Sequence, residues 1–310
     1  MEQCIQRCNN LVKFRKVRNQ VKISTSNLSE EILIKNISVC YGVTPTNEEY
    51  DCYYNRKYKP YSYKPKNIWE TINDEQYSLL KNDNNPFIQN EQIEVFSLPK
   101  DLIKMFNQVG FSSCKNEKDF NAIFLLKKQY LQETMVRITK LFELILNNSY
   151  SITDVKLLCF SYENPKIETI AYSISDEQYL GLHIDNGQGK SLLKREDNPN
   201  RLSINLSSEP RYLLFVDKTI QGLINLIHLK NPNFDIIGLQ EDKLVYTFFS
   251  LYPDFPIYRI KLYPYEAYIA PTDFIIHDGS TIDKTNPDIT MVFLGYFEPA
   301  NKRIHDTNSV

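Results

Sequence analysis

The sequence predicts an α+β fold: a closed or sandwiched antiparallel barrel, buttressed on one face by helices from the first half of the chain. Two observations carry this. The hydrophobic period changes near Asn148, from 3- and 4-residue spacing to short runs rich in β-branched and aromatic residues. Beyond that point eight to ten such runs, separated by Asn, Gly, Pro and Asp turns, fit into about 145 residues, a density of strands suited to a barrel or sandwich. No internal repeat and no Pro/Gly/Ser linker divides the chain. Residues 1–150 therefore read as a mainly helical region packed on a β core formed by 151–310.

Taken in order, residues 1–45 mix basic, polar and short apolar pieces and carry no assignable period. Residues 50–66, YDCYYNRKYKPYSYKPK, hold six tyrosines and five basic residues. Such a stretch can stack bases, but in a slightly acidic chain it reads better as a surface loop wrapped against the barrel. SLPKDLIKMFNQVGF carries helix punctuation: Ser97 as N-cap, Pro99 in the first turn and Gly110 just past the end. Residues 117–148 predict one long amphipathic helix, with Phe120, Phe124, Leu131, Met135, Ile138 and Phe142 on one stripe. The strand candidates follow: VKLLCFSY, TIAYSIS, YLGLHID, RLSINLSS, RYLLFVD, KLVYTFFSLY, IYRIKLY, YEAYIA, FIIHD and ITMVFLGYF. INLIHLKNP (224–232) reads as a helix or loop inserted between strands.

Composition excludes several classes. The 310 residues are 42% hydrophobic, enough for a sizeable core, and the net charge of −2 gives no field for nucleic acid or an anionic membrane. No apolar run approaches the roughly 20 residues that span a bilayer, and the N-terminus lacks the apolar segment of a secretory signal. The six cysteines show no paired spacing, so neither a disulfide framework nor a zinc knuckle is expected, and a reducing, cytoplasmic setting is. No G-x-S-x-G elbow or H-E-x-x-H occurs, and the glycines of DNGQGK lack the strand-to-helix context of a phosphate loop.

YLGLHIDNG (179–187) is the chemically interesting stretch. On a strand, residues two apart face the same side, so His183 and Asp185 project together and offer an imidazole nitrogen and a carboxylate oxygen to one cation. With 4 histidines in 310 residues, one H-x-D arises by chance about one time in four. An ordinary capped strand end is thus the plain alternative. A second apolar run, FII, ends in His277 and is followed by DGST. Asp273 and Asp278 flank that histidine and read as solvated turn positions.

The succession HIDN, PRYLLFVD, YEAYIAPTDFIIHDGS and a terminal ITMVFLGYF resembles the Fe(II)/2-oxoglutarate-dependent oxygenases, especially their Jumonji/cupin-like branch. The likeness covers roughly 155–298. It implies a double-stranded β-helix (a jelly-roll, cupin-like barrel), with His183, Asp185 and His277 as iron ligands and three adjacent metal positions left for 2-oxoglutarate and O2. It further implies hydroxylation of a C–H bond with release of succinate and CO2. The expected substrate is a small molecule, an amino acid or a metabolite derived from one. A protein side chain is the second choice, and a cupin-like binding or isomerase protein without oxidative activity is the reading from another class.

The resemblance has one gap. Many members anchor the distal carboxylate of 2-oxoglutarate with an Arg on the last core strand, which here reads Asp288, Ile289, Thr290, Met291. Lys284 comes too early, and Lys302 and Arg303 lie past the strand. The Jumonji-like branch takes the cation from a middle strand. A guanidinium suits a carboxylate because it is a bidentate fork. Arg211 lies near the matching place and Arg201 competes with it. A register error of one residue would exchange Arg211 for Tyr212. Tyr179, four residues before His183, is the candidate hydroxyl donor to the same carboxylate.

Overall fold

The computed structural model describes residues 19–46, 54, 56–82, 89–127 and 150–299. Its strands are, in chain order, β1 (Lys22–Thr25), β2 (Ile37–Tyr41), β3 (Val43–Pro45), β4 (Lys57–Tyr58), β5 (Tyr63–Pro65), β6 (Glu70–Thr71), β7 (Gln92–Ser97) and β8 (Tyr150–Glu163). After these come β9 (Tyr172–Ser173), β10 (Gln178–Tyr179), β11 (Asn200–Asn205), β12 (Arg211–Thr219), β13 (Pro256–Leu262), β14 (Glu266–Ala270), β15 (Ile275–Ser280) and β16 (Asp288–Pro299).

Most of them form two large sheets. One runs β1-β7-β14-β11-β16-β8 and the other β15-β12-β13-β2-β6. Every pair in them is antiparallel except β1 with β7. The period of two assigns each strand its faces. On β12, Leu213 and Phe215 join a core with Val95, Tyr268 and Ala270 of the other sheet, whereas Tyr212, Leu214 and Val216 pack outward. The outward side is covered by helices Ile220–Lys230 and Glu241–Leu251, which present Leu223, Ile227, Leu244 and Phe248 to it. The outer face of the six-stranded sheet (Leu202, Ile204, Met291, Phe293) is covered by helices Lys100–Val109 and Glu117–Leu126. The architecture is therefore mixed α+β, with helices on the outsides of two facing sheets.

Three expectations need correction. The first half is not mainly helical among the described residues. It supplies β1 and β7 to one large sheet and β2 and β6 to the other, because short apolar pieces such as QIEVFS are buried on both faces and pair with strands of the second half. KLVYTFFSLY is not a strand but the body of helix Glu241–Leu251. Its aromatic composition suggests β, yet Leu244, Val245, Phe248 and Phe249 fall on one helical stripe, with Glu241 and Asp242 favourably placed in the first turn. Ser97 ends β7 rather than capping the next helix; Pro99 occupies the N-cap, and Gly110 closes the helix at φ 92° as expected. The predicted helix over 117–148 is described only from Glu117 to Leu126, and residues 128–149 lie outside the described residues. The insert at 224–232 is helical as far as Lys230. The Tyr/Lys stretch, where described, packs inward through buried Tyr63, which joins Tyr212 and Leu214 of the five-stranded sheet, and buried Tyr58, which joins Ile167 and Tyr179. No helix among the described residues is long and apolar enough to cross a membrane.

Glu94 on β7 is buried beside Ser24 of β1, whose hydroxyl donates to it. Burial pushes its carboxyl up to about 7, and hydrogen bonds from Ser24 and Ser26 offset only part of this. The folded chain binds that proton more tightly than the unfolded chain does. Glu94 therefore costs stability as pH rises from about 4.5 towards 7. Denaturant titration should find Glu94→Gln more stable than wild type by ~1–3 kcal/mol at pH 8, with the gain shrinking at pH 5. An equal difference at both pH values would rule out a titrating carboxyl there.

Candidate metal centre

His183 and His277 are held opposite each other by main-chain bonds. His183 N–H donates to the His277 carbonyl at 3.1 Å, and His277 N–H donates back at 2.8 Å, an isolated antiparallel bridge at the open edge of β15. The rings lie 4.6 Å apart between centroids. Just before the bridge the chain turns at Gly181, whose φ of +68° and whose approach to the Tyr63 carbonyl, 2.6 Å from where a Cβ would sit, demand glycine. Asp185 is placed next, its N–H donating to Thr272 O at 3.1 Å.

The ring orientations follow from what each Nδ1 meets. His183 Nδ1 lies 2.9 Å from Gly181 O and His277 Nδ1 lies 3.3 Å from Ile275 O. A carbonyl only accepts, so each Nδ1 carries the proton and each Nε2 points at the centre. His183 Nε2 is 3.4 Å from Asp185 Oδ1, and His277 Nε2 is 3.5 Å from Asp185 Oδ2. The ligand atoms of all three residues lie within 4.8 Å of one another. Two neutral-capable imidazoles and one carboxylate, partly open to solvent, form a donor set that fits a divalent first-row metal.

The surroundings are strongly polarised. Burial disfavours a charged His183, but hydrogen bonding and charge from Asp185 and Asp278 outweigh it and lift its pKa to about 10. Burial would likewise raise Asp185, yet Arg201 at 2.6 Å and the two histidines hold it well below the ordinary carboxylate range. Asp278 is fully buried, its Oδ1 accepting the N–H groups of Ile170, Ala171 and Gly279 and its Oδ2 lying 3.6 Å from His183 Nδ1. Asp273 accepts from Asn198 Nδ2 at 2.5 Å, and burial, first, raises its carboxyl. Neither is the solvated turn position expected from sequence: Asp278 lies within β15, which continues to Ser280, and both side chains are buried.

Sequence reasoning also missed Arg195. It sits in KSLLKREDN, where nothing distinguishes it from a solvated charge. In the fold it is buried, its Nη1 donating to the carbonyls of Asp185 (2.7 Å) and Asp273 (3.1 Å) and its Nε and Nη2 to Lys190 O. Its Nη2 also pairs with Glu241. It fixes the loop after Asp185 to the segment before β15 and to a helix.

The other candidate residues fall in different places. Arg211 shares the inter-sheet face of Leu213, and Tyr212 points outward to Asp283. Arg211 is buried and crosses β15 at Gly279, where a Cβ would come within 2.5 Å of its Nη2. Gly279 lies two residues along the strand from His277, hence on the same face. Arg211 Nε is 3.5 Å from Asp288 and lacks a well-formed hydrogen bond among the described residues. Lys284 pairs with Asp288 at 3.1 Å, and burial together with Asp288 lifts Glu163 to about 7. Tyr179 is buried between Tyr58 and Tyr172, both 5.4 Å away by ring centroid. The chain leaves strand geometry at Gly181, so the four-residue spacing does not by itself align Tyr179 with His183. A cavity of about 690 Å³, lined in part by Lys59, Tyr61, Leu182, Lys243 and Tyr246, opens beside His183.

No protein-family model matches the chain, and no curated protein matches it. Among solved structures it is similar to the crystal structure of the Kdo hydroxylase KdoO, described as a non-haem Fe(II) alphaketoglutarate-dependent dioxygenase in complex with succinate and Fe(III). The identity is 13% and the TM-score 0.31, over 66% of this chain and 78% of that one. At that TM-score the likeness assigns neither activity nor substrate.

Proposed function

We propose that the protein is a non-haem Fe(II)- and 2-oxoglutarate-dependent oxygenase acting on a small molecule. The observation that carries this reading is the convergence of His183 Nε2, His277 Nε2 and the Asp185 carboxylate within 4.8 Å. Strand order supports it. From Tyr150 onward the chain passes between the two large sheets, with β12 and β13 the one successive pair in the same sheet; β8, β16, β11 and β14 are neighbours in one, and His183, β15, β12 and β13 in the other. This order supports a double-stranded β-helix whose core falls within the 151–310 region, of which residues up to 299 are described, with the metal ligands at one mouth. A bound Fe(II) would supply O2 activation coupled to decarboxylation of 2-oxoglutarate.

The chain's own residues have separable tasks in this reading. His183, Asp185 and His277 hold the metal, with both imidazoles fixed through Nδ1 by main-chain carbonyls. Arg211, buried on the same face and under-satisfied, would take the distal carboxylate of 2-oxoglutarate. The cavity beside His183 would admit an amino acid or a metabolite of similar size, its rim offering both Lys243 and Asp242.

Anaerobic addition of Fe(II) and 2-oxoglutarate should produce a weak visible charge-transfer band; a colourless mixture would overturn the reading. A metabolite screen with Fe(II), ascorbate and 2-oxoglutarate, followed by succinate release, would then find the substrate. Arg211→Leu should weaken 2-oxoglutarate binding by roughly 30–100-fold, the worth of a charge-assisted pair of hydrogen bonds, and leave metal affinity intact. Unchanged cosubstrate affinity would return the anchor to another cation.

A further inference from the structure

We propose that Arg201 is a positioning residue that claims one oxygen of Asp185 and so restricts this carboxylate to a single metal-ligating oxygen. The inference rests on the metal reading above and gives Arg201 a task other than anchoring the cosubstrate.

Asp185 presents both oxygens to the centre, Oδ1 towards His183 Nε2 and Oδ2 towards His277 Nε2, at 3.4 and 3.5 Å. A cation between the rings has access to either oxygen or to both. Arg201 Nη2 lies 2.6 Å from Oδ2, the closest contact that carboxylate makes. The pair is built into the fold from two sides. Arg201 stands on β11, fixed between Leu294 of β16 and Ala270 of β14. Asp185 hangs from the opposite sheet's edge, its N–H bound to Thr272 O and its carbonyl held by Arg195. The neighbouring acids are engaged elsewhere, Asp273 by Asn198 and Asp278 by three main-chain N–H groups.

The chemistry makes the restriction useful. Two imidazoles and one carboxylate oxygen leave three adjacent positions of an octahedral ion open. A carboxylate bound through both oxygens takes one of them, and a 2-oxo acid then loses a position for its own two-point chelation. A guanidinium whose charge holds Oδ2 in an ion pair at 2.6 Å opposes this.

Mn(II) and Co(II) test the idea without turnover. Titrated with Mn(II) alone, Arg201→Met should bind within about threefold of wild type or more tightly, since a positive neighbour is gone. The affinity of the Mn(II)-loaded variant for 2-oxoglutarate should fall by tenfold or more, with Arg201→Lys recovering part of the loss. The visible spectrum of the Co(II) protein without 2-oxoglutarate should shift in Arg201→Met, as the second carboxylate oxygen displaces a water from the ion. An unchanged Co(II) spectrum would overturn the proposal even if 2-oxoglutarate affinity fell, because Arg201 would then contact the cosubstrate directly. Loss of Mn(II) affinity itself would also overturn it, reducing Arg201 to a support of the site. Should Arg201→Met not fold, Arg201→Gln takes its place with the same criteria. Failure of the oxygenase reading looks different: the wild-type protein would itself bind no Mn(II), or bind it without response to 2-oxoglutarate.

Discussion

His277→Ala is expected to abolish succinate release and to weaken metal binding by at least about 100-fold, the upper range for losing a mere outer-shell partner. His277 supplies one of three donor atoms and is 3% exposed, so water cannot simply take its place in the same geometry. The fold should survive. The bridge between residues 183 and 277 is made by main-chain groups, and β15 keeps its pairing with β12 through Leu214 and Asp278. The cost in stability is that of a buried cavity, about 1–3 kcal/mol. Metal titration by calorimetry, run beside circular dichroism, separates the two effects. His228→Ala is the matched control: that histidine sits on the outer helix Ile220–Lys230, its Nε2 2.9 Å from Phe234 O, and its loss should leave metal binding unchanged. Equal metal affinity in His277→Ala and wild type would remove His277 from the site.

The convergence of these three residues is legible in the sequence because each signal is local. An H-x-D where an apolar run gives way to turn residues, and a lone histidine ending a second apolar run, need only the period of a strand to be seen. Their supports are not legible, because they depend on what meets what in the folded chain. Arg195 lies among charged residues in a loop, and only the fold carries its guanidinium under the Asp185 carbonyl. Asp278 reads as a turn residue until the main chain of Ile170 and Ala171 is brought against it. The choice between Arg211 and Tyr212 rests on a one-residue register that β12 fixes by pairing Arg211 with Leu262 and Tyr212 with Ser280. Helix Glu241–Leu251 escapes notice for the opposite reason. Its phenylalanines and valine favour strands by composition, and the helical stripe becomes decisive only against the outer face of a sheet.

Arg195→Met should be the most destabilising single change at the site. The guanidinium is buried and satisfies the carbonyls of Asp185, Lys190 and Asp273 together with the Glu241 carboxylate. Methionine fills much of the volume but donates nothing, so three carbonyls lose their donor and Glu241 loses its counter-charge. Breaking one side of a buried ion pair costs roughly 3–5 kcal/mol, which for a chain of 310 residues lowers Tm by about 5–8 °C. The loss should be asymmetric. Glu241 is more exposed than Arg195 and can turn to solvent, so Glu241→Gln should cost less than Arg195→Met. Metal binding connects the two levels: a ligand that binds only the folded chain adds stability according to its concentration relative to Kd. In Arg195→Met the loop after Asp185 loses its tether, so the rise in Tm on adding Mn(II) should shrink as well as the baseline Tm. Differential scanning calorimetry with and without Mn(II) measures both. A variant with wild-type Tm would mean that water replaces the guanidinium at no cost; a lowered Tm with the full Mn(II) response would confine Arg195 to stability and free Asp185 from its control.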